Sequence, residues 1–278
     1  MTTMTIIACK ILQDELVYIL ERDPSIDKIK VIDTGEQKEF VEKLEKFESL
    51  KDKIRIINPD ELQNYGNEGS SINDKNEIII NLQKLALHVK PKLLKEAIYE
   101  EIKKYSEISD GILLFYGMCG NGLDQVDEDF KELNTCKLEI LKDRTGRIVD
   151  DCIGATLGGW AEYMDALKSV SKPKTYLFTP MYAKHWKEII GAEYRKAGFG
   201  DEKMIEMVKL TNKLTDYKRV AKLNTGLDYT GTYDEDMKKY SELLDLELIE
   251  LDLGNQDLFV ECYENMKREL GVIGSDQF

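Results

Sequence analysis

The chain has 278 residues, of which 42% are hydrophobic and 33% charged, a composition that fits one large or two modest globular domains and excludes a disordered or fibrous protein. The net charge of -14, without a dense lysine or arginine stripe, predicts no nucleic-acid partner. The N-terminal sequence lacks the order of a signal peptide, and no apolar run approaches the roughly 20 residues that span a bilayer, so we expect a cytoplasmic protein without a membrane partner.

Short β-rich runs alternate with stretches of helical period in the first half of the chain. The apolar run TIIAC (5–9) predicts a strand that leads into a helix. The segment NYGNEGSSINDKNE (64–77) nearly lacks apolar residues and predicts a loop. Further strands are predicted at 28–33, 54–58, 111–116 and 137–141, and a helix at 90–105.

The second half repeats the alternation and completes the prediction of the fold class. Strands are predicted at 175–179, 217–220 and 246–253, and helices at 153–168, 180–196, 201–213, 234–244 and 256–270. The order predicts an α/β fold: largely parallel sheets flanked by helices, in Rossmann-like lobes with a ligand site at the carboxyl edge of the strands. No clear linker divides the chain, so residues 1–278 are predicted to form one α/β unit, which would divide into two lobes near residue 171.

Three of the five cysteines follow predicted strands or precede a predicted helix. Cys9 ends the first strand, Cys119 follows GILLF (111–115), and Cys152 begins a helix. Ligands bind at the carboxyl edge of open α/β sheets, and helix amino ends favour a thiolate. An odd number of cysteines in such a chain argues against a disulfide framework. The three side chains are therefore predicted to converge on one site as thiols or metal ligands.

A packing role is the alternative for each cysteine, since free cysteines are often buried. Cys9 within TIIAC fits a core position, and Cys136 and Cys262 are predicted to be structural. Cys119 differs because YGMCGNG offers a core residue little cover. Its glycines indicate a sharp turn or a close approach to a ligand, so the predicted cofactor-binding residues are Gly117, Gly120 and Gly122.

Other candidate chemistry is sparse. Two histidines exclude a multi-histidine metal site, and no phosphate-binding glycine loop is present. Asp150 and Asp151 are predicted first as helix-capping carboxylates and second as catalytic acids, and His88 is the third candidate catalytic residue. Tyr116 is predicted to be a packed strand residue.

Several motifs resemble the domain-of-unknown-function family numbered 1638, found in bacteria and methanogenic archaea. They are IIACKIL, ALHVKPKLL, LLFYGMCGNG, DDCIGATLGG and TYLFTPMYAKHW, which together extend over roughly residues 4–255. The last departs from the family pattern, because it lacks the glycine before tryptophan. The resemblance implies an anaerobic setting and an association with corrinoid-dependent methyltransferases, and the family's three cysteines correspond to Cys9, Cys119 and Cys152.

Three thiolates bind soft or borderline metals and leave a fourth coordination position open, whereas closed structural zinc sites use four ligands, often in CxxC pairs that this chain lacks. The predicted cofactor is Zn²⁺ or a [4Fe-4S] cluster with one free iron, an arrangement similar to that in quinolinate synthase.

Two hypotheses for the function follow. In the first, the chain is a metalloenzyme whose site at Cys9, Cys119 and Cys152 activates a small-molecule substrate, in one-carbon or methyl-transfer metabolism. In the second, it is a non-catalytic accessory protein that binds a corrinoid or docks a corrinoid protein or methyltransferase. The absence of a DxHxxG motif disfavours an autonomous corrinoid domain and leaves docking open.

Overall fold

A computed structural model describes residues 2–64, 76–85 and 87–272. Its larger sheet has six strands: β1 Thr2–Cys9, β2 Lys28–Ile32, β3 Ile54–Ile57, β4 Asn76–Gln83, β5 Gly111–Phe115 and β6 Lys137–Ile140. Their order in the sheet is β3-β2-β4-β1-β5-β6, and all neighbouring strands run parallel. Parallel order places every carboxyl end at one edge of the sheet.

Helices cover both faces of this first sheet, as fully buried parallel strands require. The apolar stripe of α3 (Pro91–Tyr105), which includes Leu94, Ile98 and Ile102, packs on one face. The opposite face is covered by α1 (Gln13–Arg22), α2 (Lys38–Leu44) and α11 (Asp257–Glu269). The short helix α4 is Val126–Asp129, and 3₁₀ turns occupy Lys10–Leu12, Lys51–Lys53, Pro59–Asn64 and Leu87–Val89.

A second sheet contains three parallel strands in the order β7-β8-β9: Lys174–Phe178, Tyr217–Leu223 and Glu247–Leu251. Helices pack on its two faces in separate apolar clusters. None of the helices in the described ranges is long and apolar enough to cross a bilayer. The remaining helices are α5 Cys152–Leu157, α6 Trp160–Ser169, α7 Pro180–Ile189, α8 Ala192–Lys196, α9 Asp201–Thr215 and α10 Tyr233–Leu244.

The α/β class with parallel sheets and flanking helices is confirmed, and several element boundaries differ from the predictions. Asn76 and Glu77, predicted as loop, begin β4; residues 65–75 of that predicted loop lie outside the described ranges. The single helix predicted at 153–168 is broken, because Gly158 and Gly159 adopt φ values of 101° and 128°. The helix predicted at 180–196 likewise divides into α7 and α8.

A buried ionic cluster joins the helices of the first sheet to α7 of the second. The ammonium of Lys43, itself 2% exposed, lies 2.7 Å from Asp14 and 3.1 Å from Glu39. The other oxygen of Glu39 lies 3.0 Å from Nε2 of His185 on α7. Burial acts to raise the pKa of Glu39, but the hydrogen bond to His185 and the nearby lysines hold that pKa below its usual range. The cluster thus fixes α7 beside α1 and α2.

Next to this cluster, Glu15 is buried without a cation of its own. Its Oε1 lies 3.4 Å from the hydroxyl of Thr156, and its Oε2 has no hydrogen-bond partner among the described residues. Burial, with a smaller contribution from the charge of Asp14, raises the pKa of Glu15 to about 8 from 4.5. The folded protein therefore holds a proton on Glu15 that the unfolded chain releases at neutral pH.

We expect this proton to make stability fall as pH rises. The pKa of Glu15 is higher in the folded than in the unfolded state. Its contribution to the free energy of unfolding is therefore fully present below pH 4.5 and is lost progressively as the pH rises to about 8. Over that range the free energy of unfolding falls by about 1.4 kcal/mol per pH unit. Glu15→Gln should remove this pH dependence. In urea unfolding at pH 5, 6.5 and 8, the free energy of unfolding of the variant should therefore rise relative to that of the wild type as the pH increases. Glu48→Gln, at an 86% exposed side chain, is the control; a wild-type-minus-variant difference constant with pH would contradict the assignment.

Candidate functional site

A cavity of about 410 Å³ lies at the carboxyl edge of the first sheet and extends to the second sheet. Residues from both sheets line it. The first sheet contributes the ends of β1, β4 and β5 with the segments that follow them, and the second contributes consecutive residues of β7 and the first residue of β8. The sulfur-bearing residues of this lining are Cys9, Cys119 and Cys152.

Strand register brings the first wall of the cavity together. Cys9, the last residue of β1, pairs with Gln83 of β4, and Ala8 pairs with Phe115 of β5. Lys84 and Tyr116, each one residue beyond these partners, therefore leave the sheet beside Cys9, and both line the cavity. After Cys9 the chain turns into the 3₁₀ helix Lys10–Leu12, which carries it away from the sheet edge.

The loop carrying Cys119 is tied to the segment that carries Cys152. The N–H of Met118 donates to the carbonyl of Val149 at 2.8 Å, and the N–H of Cys119 donates to the carbonyl of Asp150 at 2.9 Å. Cys119 has φ 48°, and the two residues after it are also left-handed. A non-glycine residue in this region costs on the order of 1 kcal/mol or more. The fold therefore sustains a strained backbone where Cys119 meets the cavity.

Cys152 is the first residue of α5, and the residue before it caps that helix. The carboxylate of Asp151 accepts a hydrogen bond from the N–H of Gly154 at 2.8 Å and from the hydroxyl of Tyr163 at 3.0 Å. Burial raises the pKa of Asp151 despite both bonds. Asp151 thus combines the predicted capping role with a place in the cavity lining.

The three thiols interact, and the ionisation of Cys152 is influenced by both of the others. The thiols of Cys119 and Cys9, followed by burial, raise the pKa of Cys152 well above its ordinary value. The interaction with Cys152 lowers the pKa of Cys9 against the opposing effect of burial. The raised pKa of Cys152 runs against the expected thiolate at the start of α5, whereas the lowered pKa of Cys9 favours a thiolate at the end of β1.

Tyr116, predicted to be a packed strand residue, is packed in the core directly after β5 and also lines the cavity. It is 2% exposed, and its hydroxyl lies within reach of the Cys9 sulfur. The hydroxyl nevertheless makes no well-formed hydrogen bond within the described part of the chain. Burial, followed by the neighbouring thiols, raises the pKa of Tyr116 well above its ordinary value. A neutral phenol thus faces the thiols as a donor.

The predicted glycines have two different structural roles. Gly120 lines the cavity with φ 70°, a conformation that side chains disfavour. Gly117 and Gly122 instead permit close backbone contact: a Cβ on Gly117 would lie 2.7 Å from the carbonyl oxygen of Val149, and one on Gly122 would lie 2.9 Å from that of Pro91. These two glycines bring protein segments together.

The predicted catalytic residues are not all gathered at the cavity. Asp150 forms a 3.2 Å ion pair with Arg147, and its second oxygen is buried without a partner among the described residues. Asp150 is not among the residues that line the cavity, whereas its neighbour Asp151 is. His88 lies in the 3₁₀ turn Leu87–Val89, and its side chain is outside what the structure describes. Cys136 is buried, and Cys262 lies 3.4 Å from the carbonyl of Lys142, away from this lining.

Within the described ranges, no group of three His, Cys, Asp or Glu side chains is arranged so that it could hold a metal ion. The cavity nevertheless gathers the three cysteines, and Cys9 and Cys152 influence each other's ionisation. The side chains would therefore have to adjust before three sulfurs could share one ion.

The second wall of the cavity is aromatic. Tyr176 of β7 stacks on Tyr217 of β8 with ring centroids 4.2 Å apart, and Phe178 packs 4.7 Å from Tyr182 of α7. All four residues line the cavity. Aromatic residues in strands ordinarily indicate packing, so the sequence gives no sign of their role. Only the position of the second sheet opposite the first gives them a shared surface.

These features define an α/β protein with a thiol-lined cavity at the carboxyl edge of its larger sheet. The chain belongs to the DUF1638 family, described as proteins of unknown function, which matches residues 82–263. The matched segment includes Cys119 and Cys152 and begins after Cys9. No curated protein and no solved structure matches the chain.

Proposed function

We propose that the chain is a metalloenzyme in which Cys9, Cys119 and Cys152 bind a thiophilic metal and leave one coordination position open to the cavity. The observation that carries this proposal is the meeting of three cysteines, distant in sequence, in the lining of one cavity. Three protein ligands with an open position are typical of catalytic metal sites.

The three thiols admit either a single ion or a cluster. Three sulfurs bound to one tetrahedral ion at about 2.3 Å stand about 3.8 Å from one another. A [4Fe-4S] cluster places each cysteine on a different iron and requires wider spacing. Zn²⁺ and a [4Fe-4S] cluster are therefore both candidates, and the metal and sulfide content of the protein distinguishes them.

The chain's own residues would prepare this site for chemistry. Bound Zn²⁺ would lower the pKa of a thiol or water in the open position and so generate a nucleophile suited to methyl transfer. Cys9, whose pKa is lowered, and Cys152, which must lose its proton in order to bind, would be two of the three sulfur ligands. The buried phenol of Tyr116 lies beside Cys9 and would orient a bound group by hydrogen bonding.

Asp151 is the carboxylic acid best placed to exchange a proton with a bound substrate. It lies at the cavity beside Cys152, and burial keeps its carboxyl more readily protonated than an exposed one. One-carbon or methyl-transfer metabolism is the reaction class that these thiols and the family resemblance support together.

Metal content after anaerobic purification is the decisive test. We expect stoichiometric zinc, or stoichiometric iron with equal sulfide, in protein never exposed to oxygen or chelators. The same preparation should lose its metal when the three thiols are alkylated, since alkylated sulfur has no thiolate to donate. A metal-free protein that binds a corrinoid or a corrinoid methyltransferase would contradict the metalloenzyme and support the accessory-protein hypothesis.

A further inference from the structure

The cavity has two chemically different ends. The end at the first sheet carries the thiols, the phenol of Tyr116 and Lys84. The opposite end carries the stacked pair Tyr176 and Tyr217. A ligand that fills the space would meet a polar, partly cationic end and an aromatic end.

The aromatic end also exposes backbone. Four consecutive residues of β7, from Thr175 to Phe178, line the cavity. Successive side chains of a strand point to opposite faces, so four in a row line one space only if that space runs along the edge of the strand. β7 is an edge strand of the second sheet, and an edge strand leaves about half of its N–H and C=O groups without a partner in the sheet. The carbonyl of Phe178 accepts a hydrogen bond from the hydroxyl of Tyr233 and is not available to a ligand in the same way. The wall therefore offers both ring faces and hydrogen-bonding groups.

The charged residues at the end of the cavity near the first sheet determine which ligand charge is favoured. Among the described lining residues, Lys84 is the cation and Asp151 the carboxylate. Asp151 is already engaged by Gly154 and Tyr163. Lys84 has an exposed side chain and makes no ion pair or hydrogen bond within the described part of the chain. An anionic group on a ligand would thus find a free ammonium beside the thiols.

We infer that the cavity binds a planar heteroaromatic small molecule that carries an anionic group. The ring lies against the stacked pair Tyr176 and Tyr217 and along the edge of β7, and the anionic group is directed toward Lys84. A cavity of about 410 Å³ is within the range of drug-sized ligands. This inference rests on the proposed function for what the thiols do to the ligand, and binding itself is measurable without a metal.

The test uses metal-free, reduced full-length protein and three probes, measured by calorimetry. Indole-3-acetate has a ring N–H and a carboxylate, 3-methylindole lacks the carboxylate, and cyclohexylacetate lacks the aromatic ring. Indole-3-acetate should bind most tightly, with an affinity about fivefold higher than that of 3-methylindole or cyclohexylacetate. This is the difference expected from one ion pair or one aromatic contact.

Two variants locate the binding. Lys84→Met should lower the affinity for indole-3-acetate by about fivefold and leave that for 3-methylindole unchanged. Tyr217→Leu should weaken both aromatic probes by about fivefold. Lys239→Met and Tyr194→Leu, which change residues outside the cavity lining, are the matched controls.

The outcomes separate this inference from the proposed function. No saturable binding of indole-3-acetate, equal binding of all three probes, or equal effects of the cavity and control variants would overturn the inference. A protein that binds metal and fails these tests would leave the metalloenzyme in place. A protein that passes them and contains no metal would retain the ligand site and refute the proposed function.

Discussion

Cys119→Ser is expected to abolish metal binding while the protein remains folded. A neutral hydroxyl is a poor donor to a thiophilic metal, and two remaining cysteines hold an ion far less tightly than three. The backbone at residue 119 is left-handed with either side chain, so the substitution adds no new strain. Metal per chain after anaerobic purification, beside a thermal unfolding curve, measures the two effects separately.

Cys262→Ser is the matched control. The sulfur of Cys262 lies 3.4 Å from the carbonyl of Lys142, and a serine hydroxyl can donate to the same oxygen. We therefore expect full metal content and a change in unfolding free energy of about 1 kcal/mol or less. If Cys119→Ser kept its metal, or if the two variants lost it equally, the three-cysteine site would be wrong.

Pattern alone predicted most of the first sheet, because buried parallel strands leave long apolar runs between helical segments. β4 was the exception. Its strand NEIIINLQ follows the polar segment 64–77, and the polar residue Glu77 lies within it. Glu77 is buried because the ammonium of Lys30 lies 3.1 Å from it. A tertiary ion pair of this kind leaves no signal in local periodicity.

The omission of β4 also hid part of the site. Lys84 directly follows β4, and only the pairing of Gln83 with Cys9 places it at the thiols. The cysteines were predictable because each follows a strand or begins a helix, and parallel strands end at a common edge. Tyr116 satisfied the same positional rule, but an aromatic residue after an apolar strand fits core packing equally well.

Interactions between the thiols leave no signal in the sequence. A helix amino end is expected to lower the pKa of a single cysteine, whereas Cys152 also interacts with two other thiols. That interaction is the main cause of its raised pKa. The aromatic wall is equally non-local, since it forms only where β7 and β8 meet the edge of the first sheet.

Gly117→Ala should remove metal binding by displacing Cys119 from Cys152. The new Cβ would lie 2.7 Å from the carbonyl oxygen of Val149 and 2.8 Å from the Cα of Asp151, both backbone atoms that cannot rotate away. The loop and the 149–151 segment must separate, which weakens the bond between Cys119 N–H and the Asp150 carbonyl. Metal sites tolerate ligand displacements of only about 0.5 Å.

Gly146→Ala separates this effect from a general loss of stability. Gly146 has φ 80° with open space around it, so alanine there incurs backbone strain of roughly 1–2 kcal/mol without a steric clash. Gly117→Ala should cost a comparable 1–3 kcal/mol through overpacking. The two variants should therefore have similar free energies of unfolding in urea. Metal analysis should nevertheless find the ion retained in Gly146→Ala and lost from Gly117→Ala. Wild-type metal content in Gly117→Ala would show that the contact between the two segments does not set the thiol geometry.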